Sequence, residues 1–108
     1  MSQDYLGEFE QMVLLSIVRL GKDAYGLAIK DELEAVAERS PSSGGLYTTL
    51  DRMEKKGLVE SYPGEGTLER GGRPRRYVRV TPDGHALLAH SRNTLMALWD
   101  GIEEALNR

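Results

Sequence analysis

The sequence predicts a mainly α fold carrying one small β-hairpin, and three observations predict it. Apolar residues recur at helical spacing through the N-terminal third and again at the C-terminal end. Between them, two runs of β-forming residues flank a glycine-rich connection from Pro63 to Pro74. Thr81-Pro82-Asp83-Gly84 then reads as a helix start, with a threonine cap, proline in the first turn and an acid near the positive end of the dipole.

The first helix is expected from about Tyr5 to Leu20. Leu6, Phe9, Val13, Ile17 and Leu20 form one stripe, which Met12, Leu14, Leu15 and Val18 widen almost to a full circumference. A helix apolar on so many sides needs cover on several of them, which in a chain of 108 residues hints at a second subunit. Gly21 is expected to end this helix in a left-handed conformation, and Asp23 to cap the next. That second helix spans about Ala24 to Arg39, with Leu27, Ile29, Leu33 and Val36 inward and Tyr25-Gly26 at a close helix crossing. Ser40-Pro41-Ser42-Ser43 breaks the chain, and a serine there caps the third helix.

The third helix, Ser43 to Gly57, separates its faces. Leu46, Leu50, Met53 and Gly57 fall in one narrow arc. Opposite lie Gly44, Thr48, Asp51 and Lys55, flanked by Tyr47 and Arg52. Gly44-Gly45 disfavours helix, so either the helix starts only at Leu46 or its backbone approaches another surface closely. A strand over Leu58–Tyr62 comes next, and a second ends at Val80, placing Arg75, Tyr77 and Arg79 on one face and Arg76, Val78 and Val80 on the other. The last helix is expected to run to about Asn107, some 26 residues and roughly 39 Å. Leu88, Leu95, Leu98, Trp99, Ile102, Ala105 and Leu106 give it a heptad-like seam that self-association would cover.

Net charge is −3, yet its distribution is uneven. Residues 1–38 carry three Lys/Arg against eight acids; residues 39–79 carry nine against five. Because screening confines the field to about 8 Å at physiological salt, the local sign matters more than the total. A polar helix followed by arginines 73, 75, 76 and 79 therefore suits duplex DNA, with the helix in a groove and the hairpin on the backbone. Arginines guarding an edge strand against aggregation would explain one or two of these, but four exceed that need.

Other chemistry finds little support. There is no cysteine, so disulfides and thiolate catalysis are excluded. His85 and His90 diverge on one helix, and Gly64-Glu65-Gly66 lacks the lysine of a phosphate loop. No metal, cofactor or enzymatic activity is expected. No stretch approaches a bilayer span, and cytoplasmic residence is the default expectation.

The run Leu46-Tyr47-Thr48-Thr49-Leu50, Met53 to Val59, Gly72-Arg-Pro-Arg-Arg-Tyr77 and Val80 to Gly84 closely resembles PadR-like regulators, relatives of the phenolic acid decarboxylase repressor. Tyr25-Gly26 and the apolar first helix agree, and the single terminal helix resembles the family's short members. The resemblance implies a winged helix-turn-helix over residues 1–80 and a dimerisation helix over 81–108. It also implies a homodimer and repression relieved by a ligand or signal. Carried onto this chain, Ser43, Gly44, Tyr47, Thr48, Arg52 and Lys55 become helix contacts with DNA, and Arg73, Arg75 and Arg76 wing contacts. Leu88, Leu95, Leu98, Trp99, Ile102 and Leu106 become the dimer interface, where Trp99 is a candidate to line a small-molecule effector pocket. Thr48 departs from the family, which often has proline there. The rival reading is a winged-helix module that binds another protein and never DNA; an apolar outer face on the third helix would favour it, and here that face is polar and basic.

Overall fold

A computed structural model of the chain describes residues 6–64 and 75–106, without the side chain of Leu106. Helices α1 (Glu8–Leu20), α2 (Gly26–Ala37) and α3 (Ser43–Lys55) precede an antiparallel hairpin of β1 (Val59–Pro63) and β2 (Arg76–Val80). Helix α4 (Pro82–Trp99) and a short α5 (Glu103–Leu106) complete the order. Three helices and a two-stranded wing in this order make a winged helix-turn-helix.

The core gathers one face from each element. Val13, Leu14 and Ile17 of α1 meet Ile29 and Leu33 of α2, Leu46, Leu50 and Met53 of α3, and Val59 and Val78 of the hairpin, all at most 2% exposed. Full burial of each such side chain contributes about 1.5–3 kcal/mol. Val78 alternates with the half-buried or exposed Tyr77 and Arg79, as the strand pattern predicts.

Two helix starts follow the local sequence closely. The Ser42 hydroxyl accepts the Gly45 amide at 2.9 Å, so α3 begins at Ser43 and both glycines lie in its first turn. The Thr81 hydroxyl accepts the Gly84 amide at 3.0 Å and donates to the Gly57 carbonyl at 2.6 Å, tying the root of α4 to the end of α3.

Four expectations are corrected. Asp23 does not cap α2; it sits in a 3-10 turn (Gly21–Asp23), and α2 begins after Tyr25, which makes no side-chain cap bond. The cause is tertiary: Ala24 and Tyr25 are held extended beside β2, where the Val78 amide donates to the Ala24 carbonyl at 3.0 Å and Tyr25 bridges Tyr77. Gly21 has the positive φ expected, 61°, but at ψ −125° rather than in the left-handed helical region. Leu27 and Val36, expected inward, are each 59% exposed. The last helix does not continue to Asn107: it stops at Trp99, and Gly101 at φ 87° turns the chain before α5. The heptad-like seam is therefore broken after Trp99.

At 18 residues, α4 is about 27 Å long. Its first half packs on the core through Leu87 and Leu88. Its second half leaves Leu95, Met96, Leu98 and Trp99 between 42% and 69% exposed. No helix among the described residues is long and apolar enough to cross a membrane.

Candidate nucleic-acid interface

The outward face of α3 is set by its inward one. With Leu46, Leu50 and Met53 fixed in the core, rotation of 100° per residue turns Gly44, Thr48, Asp51 and Lys55 to solvent, and all four are exposed. Ser43 is exposed at the helix start. Thr49, at the margin, is buried, and its hydroxyl donates to the Gly45 carbonyl at 3.0 Å. Gly57, expected on the buried arc, is exposed past the helix end.

The two flanks of α3 are held by opposite means. On one, Arg52 Nε and Lys56 Nζ donate to the same oxygen of Glu10 on α1, at 3.2 and 3.3 Å. On the other, Arg76 of β2 meets Asp51 at 3.0 Å through Nη1 and Glu54 at 2.8 Å through Nη2, while its Nε donates to the Ser61 hydroxyl at 2.9 Å. All three guanidinium nitrogens of Arg76 are thus engaged within the chain. Its side chain is 30% exposed, which screens these pairs only in part.

Glu10 is 7% exposed, and its other oxygen accepts the Gly7 amide at 3.1 Å. Burial pushes its carboxyl upward, but the Gly7 amide and then Arg52 and Lys56 outweigh burial and hold it below the ordinary carboxylate range. Sequence reasoning missed this residue. A signal existed: Glu10 shares the stripe of Leu6, Val13, Leu14 and Ile17, where an acid needs a partner.

Tyr47 flanks the face on the Arg76 side, 39% exposed. Its hydroxyl end lies over the backbone of Gly26, where any Cβ would overlap it. This is the close crossing expected at Tyr25-Gly26. The ring of Tyr47 has the Arg76 guanidinium 6.0 Å from its centroid.

The outer face of the wing carries a row the sequence did not reveal. Tyr25, Tyr77 and Tyr62 lie side by side, with neighbouring ring centroids 5.3 and 5.8 Å apart. Arg75 caps one end, 4.3 Å over the Tyr25 ring, and Arg79 the other, 4.6 Å over Tyr62. Arg79 also donates to Glu60 at 2.7 Å, whereas Arg75 forms no ion pair among the described residues. Arg73 lies outside the described residues.

Away from this face, an open groove of about 520 Å³ runs between α1 and α4. Leu15, Val18, Leu88, Leu95, Met96 and Trp99 supply its apolar lining. Of the residues expected at a dimer interface, Leu95, Leu98, Trp99 and Ile102 are exposed and Leu88 is half-buried against the core; the side chain of Leu106 lies outside the described residues.

Comparison with known proteins places this arrangement. Residues 14–90 match the model of the transcriptional regulator PadR-like family. An uncharacterised protein from Lysinibacillus sphaericus is 31% identical over 103 residues, spanning 94% of this chain and 86% of its own length. A PadR family transcription regulator from Clostridium difficile R20291 superposes with a TM-score of 0.66 at 27% identity, covering 91% of this chain and 98% of the other. One from Eggerthella lenta gives 0.66 at 29% identity, over 92% and 86%. With the winged fold, the polar face of α3 and a family match over most of its length, the chain belongs to the PadR-like family of transcriptional regulators.

Proposed function

We propose that the chain is a cytoplasmic, homodimeric repressor that reads duplex DNA through α3 and grips the flanking phosphates through its wing, and that a ligand or signal releases it. The observation that carries this reading is the outward face of α3: Ser43, Gly44, Tyr47, Thr48 and Lys55 stand exposed between two charged braces. Short hydroxyl and glycine positions at the N-terminal end allow close approach to base edges, and cations further along suit the backbone. Arg52, Arg73, Arg75 and Arg76 join these contacts, and Arg76, bonded through each guanidinium nitrogen to Asp51, Glu54 or Ser61, is also the brace that holds wing and helix together.

In the same reading, residues 1–80 bind DNA and residues 81–108 pair two copies. Leu95, Leu98 and Trp99 are too apolar to remain in water along a projecting helix. The groove beside Leu15 and Val18 gives a second copy's α4 a place to lie, and Trp99 lines that groove, where a small effector would bind. A winged helix devoted to protein partners would favour an apolar face on α3, and Tyr47 is the one large exposed ring there. Selection of bound fragments from genomic DNA, with sedimentation of the free protein and the complex, tests the proposal. It expects enrichment of a twofold-symmetric site bound by one dimer. A monomer, or no enrichment over input, overturns it.

A further inference from the structure

The start of α1 uses only one oxygen of Glu10, the one that accepts the Gly7 amide. The residue occupies a core stripe, and replacing a buried ion pair by apolar side chains of similar volume is often neutral or stabilising. What the residue holds is therefore more telling than what it stabilises. One oxygen closes the start of α1 on the Gly7 amide, and the other takes two cations, Arg52 of α3 and Lys56 at its C-terminal cap, 42 and 46 positions further along the chain.

The mode of the Arg52 contact matters. Arg52 is bonded through Nε alone, so its two terminal nitrogens have no protein partner among the described residues, and its side chain is 48% exposed. The stem is fixed while the end of the fork stays open, the arrangement a guanidinium needs for two parallel bonds to a phosphate. Lys56, 47% exposed, keeps donors spare beside it. Both lie on the flank of α3 opposite Arg76, where the described part of the wing supplies no cation.

We propose that Glu10 is a positioning residue of the DNA interface, holding Arg52 and Lys56 in the posture in which they meet the phosphates on the α1 side of the groove. The inference rests on the DNA reading above. Side chains ordered before contact leave less to immobilise on binding. Glu10 itself, buried behind them, touches no DNA.

The test is a cycle of four proteins: the wild type, Glu10→Gln, Arg52→Ala with Lys56→Ala, and all three changes together. Glutamine cannot accept from Gly7 and from both cations at once, since one of its two sides is a donor. Affinity for a short mixed-sequence duplex is measured against salt, well below each protein's melting temperature. The expected result is an affinity loss of about fivefold from Glu10→Gln in the wild type, the effect of freeing rotamer-rich side chains, and almost none once Arg52 and Lys56 are gone. Unchanged affinity in the wild-type background would make Glu10 a purely structural acid and overturn the proposal. Tighter binding would mean that it withholds its cations from DNA, and an equal loss in both backgrounds that it acts through the fold; either overturns the proposal. A wild type that binds no duplex at any salt removes the DNA reading itself, a result distinct from the other three. Should the glutamine variant not fold, Glu10→Asp, which keeps the charge but shortens the reach, gives the same comparison.

Discussion

Arg76 on the wing and Asp51 on α3 meet at 3.0 Å, and through this pair and its neighbour Glu54 the hairpin is locked to the helix it accompanies. Asp51 and Glu54 are acids on a surface expected to meet phosphate. Arg76 compensates them, so its removal has two effects at once. Arg76→Ala is expected to destabilise the fold by about 1–2 kcal/mol, for charge-assisted bonds that are partly solvent-screened. It should also weaken duplex binding, because two acids are left unpaired near the backbone. Urea unfolding beside DNA titration checks both, and a variant with unaltered stability would deny the brace.

Arg75 should behave differently. Stacked on Tyr25 without an ion pair among the described residues, it is free to neutralise a phosphate. Arg75→Ala is expected to leave stability within about 0.5 kcal/mol. The slope of log affinity against log salt should fall by about one. A slope equal to that of the wild type would remove Arg75 from the interface.

Gly26 and Tyr47 form a second joint, between α2 and α3. Gly26→Ala is expected to cost roughly 1–3 kcal/mol by forcing the tyrosine aside. Adding Tyr47→Phe, which removes the nearest overlapping atom, should restore part of that loss. Equal stability of the single and double variants would refute the contact.

Acid should loosen the braced flank. The Glu10 carboxyl has a folded-state pKa below its ordinary value, so the stability it adds is complete above the unfolded-state value and is lost as pH falls through the lowered folded-state value. Wild type and Glu10→Gln should therefore differ in stability at pH 7 and converge as pH falls through and below the carboxylate range. A difference that stays constant across that range would contradict the assignment.

Much of this is legible in the sequence where the signal is local. Thr81 and Ser42 cap their helices by their own hydroxyls, and the 3.6-residue spacing of Leu46, Leu50 and Met53 suffices to orient α3. The misses have long-range causes. Periodicity shows which residues share a stripe but not how much of it a neighbour covers, hence the exposed Leu27 and Val36. Pairing of Ala24 and Tyr25 with β2 overrides the expected Asp23 cap. The apolar pattern runs on across Gly101, where the backbone in fact turns. Glu10, Arg52 and Arg76 look like separate charges along the chain, because their partners lie far away in sequence.

The central claim is that the face of α3 around Thr48 enters DNA, and Thr48→Glu tests it most directly. Thr48 is exposed, and none of the hydrogen bonds or ion pairs among the described residues depends on its side chain, so melting should stay close to that of the wild type. A carboxylate set against phosphate and base edges should cut duplex affinity on the order of tenfold to a hundredfold. An equally stable variant that binds duplex DNA as tightly as the wild type would contradict the account.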